Sequence, residues 1–275
     1  NRKLNKTRML GLIVPNSADV LFASLGEKLE LRCRRSGYQL TISGSYDDVD
    51  YENQLVHALM ARNVDGLFIV PTTLENQQHH LRQVKKPLVL LDRNFRFTDN
   101  ALVESHNAEG GEILTRNLLE AGKTPLWFLL GNTVLPSIND RLQGYLTALK
   151  QQGITHQDWV CEGPDNTPEE GHNLMTRLIE SHGVPQAFIA SSLPVLEGAI
   201  HAIRDKAGSV PVDLNIGTFD EHPMLGFLAN NVWSMQQDED AWAENAFRMM
   251  QSAIDGNPVN ETVRVDMRLK KRTRQ

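Results

Sequence analysis

Met9–Ser17 reads MLGLIVPNS, and Asp65–Thr73 repeats its plan as DGLFIVPTT. Each is a short apolar run closed by Pro and small polar residues. PLVLLDRN from Pro87, LWFLLGNT from Leu126, AFIASSLP from Ala187 and LNIGTFDEH from Leu214 follow the same plan. A helix-period segment follows most of these runs. Phe22, Leu25, Leu29 and Cys33, spaced by three or four, make the first. Such alternation predicts parallel strands with helical crossovers. Small polar ligands bind beyond the carboxyl ends of strands in open α/β sheets. The residues just after each run are therefore the candidates for function.

The spacing predicts strands over 9–14, 38–43, 67–70, 88–91 and 102–104, with helices over 50–62 and 108–121. The pattern then restarts. Strands are expected over 126–130, 159–162, 187–190, 215–219 and 232–236, and a last one over 262–267. Helices are expected over 141–152, 193–206 and 240–254. Thr167-Pro168-Glu169-Glu170 opens another: a Thr cap, Pro at the first helical position and Glu three residues after the cap. No Pro-, Gly- or Ser-rich spacer separates the halves. The fold class expected is α/β, with two similar Rossmann-like lobes and a ligand cleft between them. Residues 7–121 with 238–265 form the first lobe, and 122–237 with 266–275 the second.

The chain has 275 residues, 40% hydrophobic and 23% charged, with a net charge of −6. That balance excludes a chain that grips nucleic acid by itself, since phosphate binding needs a basic surface. No apolar stretch approaches the ~20 residues of a membrane span, and the basic start lacks a secretory apolar run. Cys33 and Cys161 read as buried free thiols, in keeping with a cytoplasmic protein. The basic tail Arg268–Arg274 reads as a solvated terminus.

Catalytic signatures are missing. Ala121-Gly122-Lys123-Thr124 recapitulates the end of a phosphate loop, but Asn117 stands where its first Gly belongs. No H-E-x-x-H or G-x-S-x-G occurs, His79-His80 falls in a polar loop, and Asp47-Asp48 reads as a solvated pair. Neither an enzyme, a cofactor nor a metal is expected.

Polar residues fit to hold a hydroxylated ligand remain. They are Asp19 after the first strand, Asp92 and Arg93, Asn107 and Glu109, Ser137 and Arg141, Ser191 and Ser192, Asp220 and Glu221, and Gln237. Arg141 is expected in a first helical turn, where a cation opposes the helix dipole at a cost of ~0.3–1 kcal/mol. A ligand anion, a hydroxyl or a carboxylate would offset that; so would pairing with Asp140. Asp220 reads equally as an acceptor of two sugar hydroxyls or a helix cap. Ser192 reads equally as a cap. Phe22 and Trp233 are placed to stack on a sugar face or to pack in the core.

These segments in this order resemble the LacI/GalR family of bacterial transcription regulators. The resemblance covers essentially the whole chain and rests on MLGLIVPNSADVLFASLGEKLE, VDGLFIVPTT, PLVLLDRN, LWFLLGNTVLPSINDRLQGYLTAL, AFIASSLPVLEGAI, NIGTFDEHPML and WSMQQDEDAWAENAF. No single motif decides it; the ordered set does. WFLLGN, SSLPVLEGAI, TFDEH and MQQDED make it most similar to the fructose and sucrose catabolism repressors, the catabolite repressor/activator type.

The resemblance implies an effector-binding domain whose helix-turn-helix module and hinge helix lie upstream of a chain that opens at NRKLNKTR. It implies a sugar or sugar phosphate effector, with fructose, fructose 1-phosphate and sucrose as candidates. It implies a homodimer or tetramer, and operator DNA held through the missing domain. Arg141 matches the family's effector-binding arginine at RL-x-G, Asp220 the carboxylate after the FD strand, and Gln237 the polar residue near the last crossover. Ser192 replaces a frequent Asn. Asp19, Val20 and Leu21 replace Asn-Pro-Phe, while Phe22 keeps the second aromatic. Asp92-Arg93 fits the family's D-R, with Arg93 meeting an anionic group or a structural partner. The rival expectations are a stand-alone periplasmic-type sugar-binding protein and a sugar-modifying enzyme.

Overall fold

The computed structural model describes residues 6–72, 79–93, 101–155 and 158–274. The chain divides into two compact units. The first runs through Ser105 and takes back Asp238–Val265; the second holds His106–Gln237 and the segment from Asp266.

The first unit is built on β1 (Met9–Val14), β2 (Gln39–Gly44), β3 (Gly66–Ile69), β4 (Leu88–Leu91), β5 (Ala101–Ser105) and β11 (Thr262–Val265). Their spatial order is β11-β5-β4-β3-β1-β2, and every pair is parallel. The central strands β1, β3 and β4 are apolar throughout because both faces of the sheet are covered there, whereas the edge strands β2 and β11 alternate with polar residues. Successive side chains alternate between those faces. Leu10, Leu12 and Val14 join the core under α1 (Val20–Arg35) and α8 (Glu239–Ile254); Ile13 joins the opposite core with Val56 and Leu59 of α2 (Val49–Ala61).

The second unit repeats the plan with β6 (Trp127–Leu130), β7 (Val160–Glu162), β8 (Ala187–Ala190), β9 (Asn215–Phe219) and β10 (Val232–Gln236), in the order β10-β9-β8-β6-β7. Leu129, Phe188 and Ile216 face α6 (Pro168–His182) and α7 (Leu193–Ala207). Phe128, Leu130 and Ile189 face α4 (Asn107–Glu120) and α5 (Pro136–Gln151). Thr167 caps α6 as its sequence requires, its hydroxyl accepting from Glu170 N at 3.1 Å.

Helix α4 belongs to the second unit, whereas the chain order had placed it in the first. Glycine explains the difference. A Cβ on Gly144 of α5 would lie 2.1 Å from Ala108 O, and one on Gly111 of α4 2.5 Å from Arg141 O. Only hydrogen at both positions lets the two backbones touch. That contact fixes α4 against α5.

Helix α5 also starts earlier than the apolar spacing suggested, at Pro136 and not Arg141. Pro136 occupies the first turn, where its missing N–H costs nothing. Arg141 thus sits in the second turn, so the dipole argument does not apply to it.

The basic tail is not a solvated terminus. Arg268–Arg272 forms β12, antiparallel to β10 at the sheet edge. The expected strand over 262–267 ends at Val265, two residues early, because the chain leaves the first unit there. His80 lies in a short helix, His79–Arg82, and not in a loop; its Nε2 is 2.8 Å from Oε1 of the fully buried Glu52.

Candidate functional site

In each sheet the strand order reverses beside the first strand of the unit, between β1 and β3 and between β6 and β8. Loops beyond such a reversal leave a crevice that admits a ligand. The candidate residues fall at these carboxyl ends.

The second unit carries five of them: Ser137, Arg141, Ser192, Asp220 and Gln237. Arg141 reaches from α5, which follows β6, to the loop after β8. Its Nη1 donates to Ser191 O at 2.8 Å and its Nε to Asn107 Oδ1 at 3.0 Å. Its guanidinium carbon lies 4.8 Å from the centre of the Phe219 ring. Arg141 is 4% exposed, so the exposed pairing with Asp140 does not hold. Both hydrogen bonds go to neutral acceptors, and no ion pair holds Arg141 among the described residues. A buried cation without a counter-charge is costly. An anionic or strongly hydrogen-accepting ligand group would lower that cost. The close approach of Gly111 and Gly144 is what brings Asn107, first residue of α4, within reach of Arg141. The glycine of RL-x-G therefore serves its arginine.

Asp220 follows β9 with φ +71°. A non-glycine residue in the left-handed region is uncommon, and such strain gathers at functional sites. Its amide donates to Met235 O at 3.1 Å and its Oδ1 accepts from Gln237 Nε2 at 2.5 Å. It is not a helix cap: the 3-10 turn at Pro223–Phe227 is capped by His222, whose Nδ1 accepts from Met224 N. Ser192 starts α7 in the cap position, but its hydroxyl makes no capping bond. That oxygen is buried and has no hydrogen-bond partner among the described residues. Ser137 is buried in the first turn of α5.

The first unit places its candidates differently. Asp92 follows β4 with φ +64°, and its amide donates to Val103 O, so it is the topological counterpart of Asp220. Arg93 is 7% exposed; its Nη1 donates to Asp47 Oδ1 at 2.6 Å and to Pro71 O at 2.9 Å. Asp47 is exposed, as expected, and also pairs with Arg93, while Asp48 caps α2. Arg93 Nε is buried without a partner among the described residues. Asp19 caps α1, its Oδ1 accepting from Leu21 N and Phe22 N. Phe22 is 9% exposed and packs in the core, and Trp233 lies under Lys271. Neither aromatic is presented for stacking. A cavity of about 500 Å3 opens beside Lys86, Leu88, Ala101 and Val259, at the amino ends of β4, β5 and β11, away from all these residues.

Glu221, expected among the ligand-holding residues, instead anchors the sheet edge. Glu221, next to Asp220, receives both Nη atoms of Arg272 at 2.5 and 2.7 Å, Ser234 Oγ at 3.0 Å and Lys270 Nζ at 3.4 Å. Burial pushes the Glu221 carboxyl up, but Arg272, Ser234 and Lys270 outweigh it and hold the pKa below the usual range. The pair locks β12 beside Asp220. Arg272→Met should leave Glu221 without its main partner and lower stability by about 2–4 kcal/mol, read by denaturant unfolding. With its folded pKa below the unfolded one, Glu221 adds stability at neutral pH and loses it as pH falls through the acid range. The variant should flatten that acid limb. A wild-type limb retained in the variant would refute the role of the pair.

The periplasmic-binding-protein-like domain family matches residues 115–274. Over 259 residues the chain is 27% identical to the sucrose operon repressor of Klebsiella pneumoniae, covering 92% of this chain and 75% of that one. It is 26% identical over 251 residues to the HTH-type transcriptional repressor PurR of Mannheimia succiniciproducens, covering 90% and 75%. Among solved structures, the Cra transcriptional dual regulator of Pseudomonas putida, in complex with fructose 1-phosphate, superposes with a TM-score of 0.84 at 27% identity, over 97% of this chain and 99% of that one. A putative ribose operon repressor from Burkholderia thailandensis gives 0.86 at 25% identity, over 96% and 99%. The chain belongs to the periplasmic-binding-protein-like domain family, in the form that serves LacI-family regulators as their effector-binding domain. Among the described residues no helix is long and apolar enough to cross a membrane.

Proposed function

We propose that the chain is the non-catalytic sensor of a sugar-responsive repressor and that its effector is a small sugar or sugar phosphate. The observation that carries this is Arg141, a buried cation bonded only to neutral acceptors at the strand carboxyl ends. Asp220 supplies a carboxylate for sugar hydroxyls, held by Gln237. Ser192 and Ser137 supply hydroxyls. A phosphorylated sugar fits better than its neutral parent, because a phosphate provides the negative charge that Arg141 lacks. The fructose 1-phosphate in the Pseudomonas putida relative supports that choice.

Asp92, Arg93 and Asp19 lie at the strand carboxyl ends of the first unit and are proposed as effector residues in their own right. Arg93 keeps a structural role through Asp47, so its substitution should lower stability as well as affinity. The regulator works in the cytoplasm as a homodimer, with operator DNA held by a domain outside this chain; the repressors it resembles support that reading. Effector binding shifts the regulator between two states by no more than the ligand's differential affinity for them, ~1–3 kcal/mol in typical allostery.

A thermal-shift screen of sugars and sugar phosphates tests the reading, since a ligand at 100 times its Kd stabilises by about 2.7 kcal/mol. A clear rise with at least one sugar or sugar phosphate is expected. No rise with any of them, or turnover of one, would overturn the assignment.

A further inference from the structure

Outside the effector residues, metal-ligating side chains meet where the chain passes between its units. It does so after Ser105, after Gln237 and after Val265. His106 and Asp266 are the first residues beyond two of those passages. Both lie within the second unit, and they meet. His106 Nδ1 is 3.0 Å from Glu109 Oε2 and 3.8 Å from Asp266 Oδ1. One donor atom from each of the three lies within 4.8 Å of the other two.

We propose that His106, Glu109 and Asp266 bind a divalent transition-metal ion, zinc or manganese in class. One imidazole nitrogen and two carboxylate oxygens suit such ions, whereas magnesium and calcium favour all-oxygen sets. Zinc bonds of about 2.1 Å in a tetrahedron set donors about 3.4 Å apart. The observed 3.0 and 3.8 Å straddle that spacing. Asp266 is the most exposed of the three, at 79%, and is the donor that would turn inward on binding.

The surroundings hold the backbones that carry the donors. His106 stands in the cap position of α4, yet its side chain makes no capping bond, so the ring is committed to the two carboxylates. One residue beyond Glu109, a Cβ on Gly110 would lie 2.5 Å from Met267 Sδ, so the first turn of α4 and the segment after Asp266 are packed together. The amino-terminal dipole of α4 opposes a cation, and the two carboxylates offset it. Three protein donors leave further positions for water, as in an exchangeable site. The ion would tie together two of the three passages of the chain. It is therefore expected to raise thermal stability and to change effector affinity, though the site itself does not depend on the effector assignment.

Calorimetric titration of chelator-treated protein with zinc chloride and manganese chloride, with magnesium chloride as the hard-cation control, tests the proposal. The wild type should bind one zinc or manganese ion per chain and magnesium far more weakly. Asp266→Asn, at an exposed position, should weaken binding at least tenfold, and His106→Ala should remove it, with helix content checked by circular dichroism. No saturable zinc or manganese binding by the wild type overturns the proposal. So does unchanged affinity in Asp266→Asn, which would place the ion on other histidines.

Discussion

Arg141→Ala is expected to abolish effector binding while the chain remains folded. Charged hydrogen bonds contribute about 1.5–3 kcal/mol each. Losing a forked contact to a ligand oxygen or phosphate should therefore cost about 3–5 kcal/mol, or about two to three and a half orders of magnitude in Kd. The structural cost is smaller. Asn107 Oδ1 and Ser191 O lose a donor, worth about 1–3 kcal/mol together, while a buried unpaired charge disappears. Against a typical total of about 5–15 kcal/mol the chain stays folded. Arg141→Lys should fall between, since it keeps the charge but loses the planar fork. Calorimetry beside circular dichroism separates the two effects. A folded Arg141→Ala variant with unchanged affinity would remove Arg141 from the site.

Asp220→Gly should separate function from stability in a second way. Asp220 is held at φ +71°, and glycine adopts that conformation without strain. Strain of this kind costs about 1–3 kcal/mol, so its release roughly offsets the added chain entropy and the lost bond to Gln237. The melting temperature should hold or rise slightly. Affinity should fall by at least a factor of about ten, because the acceptor for sugar hydroxyls is gone and each 1.4 kcal/mol is tenfold. Asp220→Asn should lose affinity without a change in backbone. Loss of stability in Asp220→Gly with affinity retained would make the aspartate a structural residue.

Much of the fold was legible because each strand announces itself. A buried parallel strand is an apolar run that ends where its loop needs Pro, Gly or a polar residue. Met9–Val14, Leu88–Leu91, Ala187–Ala190 and Asn215–Phe219 were read from that signal to the residue. Packing between distant residues was not legible. Nothing local says that Gly111 and Gly144 meet, so α4 was placed by chain order and α5 by its apolar spacing. Arg268–Arg272 reads as a solvated basic run until Glu221 is seen to anchor it. The site divides the same way. Arg141, Asp220 and Gln237 were named as candidates from their places after strands and from the family resemblance, and the structure places Arg141 and Asp220 beside and after the strands of the second unit. That Asn107 and Ser191, themselves candidates in the sequence, accept from Arg141, that the Ser192 hydroxyl makes no capping bond, and that Asp220 has a left-handed backbone required coordinates. Phe22, read as placed either to stack on a sugar or to pack in the core, packs in the core.

Titration calorimetry of the wild-type chain with fructose 1-phosphate, fructose and sucrose tests the central claim most directly. The account predicts one saturable site per chain, with fructose 1-phosphate bound in the range of about 1–100 μM and more tightly than fructose. Absence of saturable binding by all three, and by the sugar phosphates of a wider panel, up to about 10 mM would contradict it.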